Sequence, residues 1–96
     1  MRADYDSKAD ALLIELRQVE RFDRGEQIDD DYCNVGIVDD RVVALELLYP
    51  AEHLDLLEVA AERYDLDGMA LTAAARAALA APDRLVVLDV AEHVAA

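Results

Sequence analysis

Reactive and conformationally special residues are scarce in this chain: one cysteine, two histidines, three glycines, two prolines, one phenylalanine and no tryptophan. A single Cys33 can form no internal disulfide, which agrees with a reducing compartment. Ser7 is the only serine, and it stands among turn residues, so no serine-centred triad can assemble. With glycine only at positions 25, 36 and 68, there is no loop to cradle a phosphate. No apolar run approaches the ~18 residues that a membrane span needs. Met1 to Asp10 is polar, unlike a signal peptide. These shortages imply a soluble, cytoplasmic protein with no membrane partner.

Positive charge is also short. Nine basic residues against twenty-two acidic ones leave a formal net charge of -13. Nucleic-acid binding draws its affinity from Lys and Arg neutralising phosphates, so DNA and RNA are excluded as partners of the isolated chain. Acidity alone keeps a protein soluble; its sharper meaning is a face that attracts a basic protein. Ninety-six residues make one domain, 1–96, with a modest core. Leu, Val and Ile must build it, because aromatic area is so small.

What is present is patterned. In Tyr5 to Leu16, Leu12, Ile14 and Leu16 alternate with Leu13 and Glu15, as a half-buried strand requires. Arg2 to Tyr5 alternates as well, and Asp6-Ser7-Lys8 supplies turn residues between the two. A hairpin opens the fold. Phe22 to Ile28 is a poorer strand whose alternation Gly25 interrupts, suited to a sheet edge. Asp29-Asp30-Asp31 is a turn; Tyr32–Val38 and Val42–Tyr49 are strands. Joining these two by a three-residue loop, Asp39-Asp40-Arg41, sets Val43 against Ile37, Leu45 against Val35 and Leu47 against Cys33. That register gives one apolar face with Cys33 in the core, whereas a two-residue loop sets polar groups against the apolar row. The sequence therefore predicts the three-residue loop, with Arg41 or a neighbour left-handed.

The run Tyr5-Asp6-Ser7-Lys8-Ala9-Asp10-Ala11-Leu12-Leu13-Ile14-Glu15-Leu16 resembles the opening motif of domain of unknown function 2283, a family of small bacterial proteins. The resemblance continues through Ile28-Asp29-Asp30-Asp31 and Arg41 to Leu48, and covers about the first half of the chain. It implies a β-meander followed by helix, with no established activity. It also implies, through some members, partnership with small basic toxins. Everything after about Ala51 is additional to the family pattern.

Pro50 ends the last of these strands, and a helix is predicted from Ala51 to about Tyr64. Leu54, Leu57, Val59, Ala60 and Ala61 fall at helical spacing, while Glu52, Asp55, Glu58 and Glu62 fill the outer face. A second helix, Met69 to Ala81, is apolar nearly all round, as a sandwiched or interfacial helix would be. Arg84 to Val90 is a β-branched run, a final strand on this sheet or on a partner chain. Ala91 to Ala96 is expected to fray.

Few residues invite chemistry. Asp65-x-Asp67-Gly68 resembles part of a calcium loop, but Arg63 and Ala74 stand where ligands belong. Asp29-Asp30-Asp31 points its carboxylates in alternate directions. His53 beside Glu52 is a candidate base or ligand; His93, Cys33, Glu15 and Glu46 belong to no reactive motif. No catalytic, cofactor-binding or metal residue is assigned and no cofactor is expected.

The predicted architecture is α+β: an antiparallel meander of four to five strands, two helices on one face, and a C-terminal strand. The function expected is a non-enzymatic acidic interaction module, dimeric, partnered by a basic protein in the manner of an antitoxin. The alternatives are a small carboxylate- or metal-dependent hydrolase using His53, and a purely structural dimer.

Overall fold

A computed structural model describes residues 1–29 and 31–88. β1 (Arg2–Asp6) and β2 (Ala11–Glu15) form the opening hairpin, with Ala3 opposite Ile14 and Tyr5 opposite Leu12. Asp6 closes its turn by accepting the N–H groups of Lys8 and Ala9 at 3.0 and 3.2 Å, an Asx turn. β3 (Arg24–Ile28), β4 (Cys33–Val38) and β5 (Arg41–Leu48) follow as consecutive antiparallel neighbours. With β6 (Leu85–Val87) they make a six-stranded sheet in the order β3-β4-β5-β2-β1-β6. Every pairing is antiparallel, and the fold is α+β. The chain skips from β2 to β3 at the far edge and returns to lay β5 against β2, which brings Leu47 to Leu12 and Leu45 to Ile14.

The β4–β5 connection corrects the predicted loop. Asp39 and Asp40 have φ of 53 and 61°, which makes a two-residue turn with both central residues left-handed, the hairpin turn whose twist matches the strands. Val38 therefore faces Arg41 and Ile37 faces Val42, not Val43. A register shift between Gly36 and Ile37 then leaves Val43 as an extra residue in β5, and Leu45–Val35 and Leu47–Cys33 pair as predicted. Aspartate tolerates the left-handed region better than most residues, so Asp-Asp can make the tight turn, and a β-bulge restores the apolar row. The Val43 carbonyl accepts the N–H groups of Leu16 and Arg17 at 2.8 and 3.2 Å.

The predicted helix from Ala51 is two pieces. A 3-10 turn spans Pro50–Glu52 and α1 spans Asp55–Tyr64. Between them His53 leaves helical geometry, at φ −126° and ψ 25°. A left-handed Tyr49 feeds Pro50 into the first piece, and the ring at the first helical position sets a turn that is not continued. α2 spans Gly68–Ala80. Its residues Leu71, Ala74, Ala75 and Ala78 are buried, at the i, i+3, i+4, i+7 spacing of one helical stripe. They pack with Leu57 and Ala60 of α1 over Leu12, Ile14, Cys33, Val35, Leu45 and Leu47, in one core on one face of the sheet. Burying each Leu there contributes about 1.5–3 kcal/mol relative to exposure.

The last strand pairs within its own chain, Ala3 opposite Val86 and Asp4 opposite Leu85. Asp83 fastens it: its carboxylate accepts the Ser7 N–H and hydroxyl at 2.8 and 2.6 Å. Asp89 and Val90 of the predicted strand, and the predicted fraying of Ala91 to Ala96, lie outside the described residues. On the open face, Gly25 faces Gly36 and Gly36 faces Ala44. A side chain at Gly36 would meet the Phe22 ring at 2.8 Å, so the interrupted alternation in β3 is filled by Phe22 lying across the gap.

Candidate interaction surface

The residues singled out for chemistry are held apart. Cys33 is fully buried, and burial pushes its thiol up to about 11, far from a reactive thiolate. His53 stacks on Tyr32, with ring centroids 4.2 Å apart. Its Nδ1 faces the carbonyls of Leu48 and Tyr49 at 3.0 and 3.1 Å; two acceptors on that side put a proton on Nδ1. His53 ties the strand end to the helix start. His93 lies outside the described residues, as does Asp30. Among the described residues no three His, Cys, Asp or Glu side chains converge as a metal site.

Most aspartates are accounted for by backbone. Of eight non-glycine residues with positive φ among the described residues, seven are aspartates: Asp10, Asp29, Asp31, Asp39, Asp40, Asp65 and Asp83. No glycine takes such a conformation there. Aspartate stands where glycine often does, because its short polar side chain bonds locally. The calcium-like Asp65 and Asp67 divide into the left-handed cap of α1 and the N-cap of α2, where Asp67 accepts the Ala70 N–H at 3.1 Å. Asp23 accepts the Asp39 N–H at 2.8 Å. Ser7 holds the Asp83 carboxyl below its usual range, first through the hydroxyl and then through the amide.

A second group is paired by side chains. Glu15 lies 3.7 Å from Arg2, and Arg24 bridges Asp40 at 3.0 Å and Glu26 at 3.4 Å. Tyr64 of α1 donates its hydroxyl to Glu26. That bond, and then Arg24, lowers the Glu26 pKa. It also ties the end of α1 to the edge strand.

Among the described residues this leaves Asp4, Glu20, Glu46, Glu52, Asp55, Glu58 and Glu62 in none of these roles. The last four run along one outer side of the 3-10 turn and α1 and are exposed. Asp55 and Glu58 stand in the first turn of α1, where they suit the helix dipole. Glu62 stands near its C-terminal end, where a carboxylate opposes that dipole. Helix stability therefore does not explain Glu62.

These acids border a feature that α1 and α2 build together. The short connector sets Gly68 against Ala61, whose Cβ is 3.3 Å from where a Gly68 Cβ would stand. The outward side then holds an open groove of about 1070 Å³. Asp55, Glu58, Val59 and Glu62 stand on the α1 side and Met69, Thr72, Ala73 and Arg76 on the α2 side, with Ala61 and Leu66 where the helices meet. Met69 is 85% exposed and Val59 38%, so the groove presents apolar surface to solvent. Sequence periodicity placed the acids on an outer face; it held no sign of the groove, which depends on how the connector sets one helix beside the other.

No family model, no curated protein and no solved structure matches this chain. No helix among the described residues is long and apolar enough to cross a membrane.

Proposed function

We propose that the chain is a non-enzymatic acidic interaction module that engages a basic protein, in the manner of an antitoxin. One observation carries this reading. Once the acids serving turns, caps and side-chain pairs are set aside, four of the remaining seven lie together at Glu52, Asp55, Glu58 and Glu62. Exposed carboxylates on one face attract a cationic surface and speed its encounter. The resemblance of Tyr5 to Leu16 to domain of unknown function 2283, some of whose members look like partners of small basic toxins, points the same way. A buried free thiol suits a cytoplasmic setting.

The reading includes a homodimer formed through the open sheet face. Leu13, Phe22, Leu85 and Val87 are exposed there, while two of that face's charges, Arg2 and Glu15, neutralise one another. Sedimentation over a range of concentrations tests this part, and a monomer throughout removes it without touching partner binding. Partner binding is tested by affinity capture from the native host at low and high salt. A basic protein recovered at low salt and released at high salt is the expected result. Recovery of none, or of one whose binding ignores salt, contradicts the reading.

A further inference from the structure

We propose, building on the interaction-module reading, that the groove between α1 and α2 accepts a basic amphipathic helix of the partner. Its sides are helices whose backbone groups are already bonded within each helix, so an extended peptide would find no strand edge to extend. The groove is open along its length and apolar between its sides, which suits an apolar helical stripe laid into it. Asp55, Glu58 and Glu62 follow an i, i+3, i+7 spacing and span about 10 Å of helix axis. Lysines or arginines flanking the apolar stripe of a helix recur at the same interval and would meet them along that side.

The opposite side is built for close approach. Ala73 and Thr72 are small, and helix axes come within about 8–10 Å only where contact side chains are short. Met69 stands out at the mouth, where an unbranched thioether can fit different partners. Sign of charge selects the occupant. A second copy of this chain repeats the same acidic face, and the chain's own last residues add Asp89 and Glu92. Nucleic acid and anionic membrane are repelled for the same reason. Arg76 is the one cation on the groove, and it stands across from the acids, where it can meet an acidic residue of the incoming helix.

The test uses the full chain and three synthetic peptides of about 18 residues, five helical turns. One carries Leu and Ala on one face and Lys beside them; the second has the same composition scrambled so that no apolar stripe forms; the third is polylysine. Binding is followed by calorimetry at about 50 mM salt, where screening is mild. Amide chemical shifts give the location. The striped peptide is expected to bind and to shift Val59, Leu66, Met69 and Ala73. The scrambled peptide is expected to bind at least about tenfold more weakly. Ala73→Trp, at an exposed position, should fill the groove and weaken the striped peptide by roughly tenfold, leaving the unfolding curve in place. Equal binding of striped and scrambled peptides, or no effect of Ala73→Trp, overturns the helix-in-groove proposal while the charge-based reading stands. Failure of all three peptides, polylysine included, overturns both.

Discussion

The carboxylates of the sheet's turns and those of α1 carry the same charge but do different work. In the turns they are conformational. Asp10, Asp29, Asp31, Asp39 and Asp40 hold left-handed backbone, Asp6 and Asp23 accept neighbouring N–H groups, and the strands between them are kept in register. On α1, Glu58 adds only a first-turn charge that suits the helix dipole and Glu62 opposes that dipole, and both sit beside exposed apolar surface. A net charge of -13 is therefore not in itself a signal of partnership. Much of it follows from building turns with aspartate in a chain that has three glycines. The informative charge is the part left over, and its position beside the groove gives it meaning.

The comparison presumes that α1 is a fixed platform, and the largest expected effect tests that. Leu57 is fully buried, so Leu57→Ala should destabilise the protein by about 3 kcal/mol in urea denaturation. A change below about 1 kcal/mol would mean that α1 is not packed as described.

Next in size is the turn side of the contrast. Asp39→Val places a β-branched residue at φ 53° and should destabilise by about 1–2 kcal/mol, whereas Asp39→Gly, free of that strain, should match or exceed the parent. If Val and Gly behave alike, the turn aspartates are not there for the backbone.

A smaller effect belongs to Asp83. Its folded pKa lies below the usual carboxylate value because of Ser7, so the stability it adds is complete above about pH 4 and is lost as pH falls through the folded value. Asp83→Asn keeps a residue tolerant of left-handed backbone and should flatten the acid limb of stability against pH. An acid limb identical to the parent's speaks against the Ser7 clamp.

The smallest effect is expected on α1 itself: Glu58→Gln and Glu62→Gln should each move stability by no more than about 0.5 kcal/mol. A larger loss in either would give those acids a role in the fold and blur the distinction.

Local pattern carried much of this structure into view. The first hairpin, the Leu45–Val35 and Leu47–Cys33 pairs and the buried Cys33 were legible because one buried face fixes register at period two. The turn before them was not, because two different loops can serve one register when a bulge takes up the difference. Without a bulge, a two-residue turn at Asp39-Asp40 sets polar groups against the apolar row, so the period alone favours the longer loop; the shift between Gly36 and Ile37 removes that objection. The break at His53 was hidden because Pro50 fits equally well at the head of a long helix or of a single turn. Placement of β5 against β2 rests on pairing far apart in sequence, which no local period encodes. The groove was out of reach for a related reason: the stripes of α1 and α2 each show an outward side, but the space between them is set by the Asp65–Asp67 connector and by the contact of Gly68 with Ala61.

The most direct test compares two variants of equal net charge for binding of the striped basic peptide. One carries Asp29→Asn, Asp31→Asn and Asp39→Asn in the turns; the other carries Asp55→Asn, Glu58→Gln and Glu62→Gln on α1. Affinity should fall at least about tenfold in the α1 variant and stay within about twofold of the parent in the turn variant. Equal weakening in both would show that total charge, and not where it stands, governs binding.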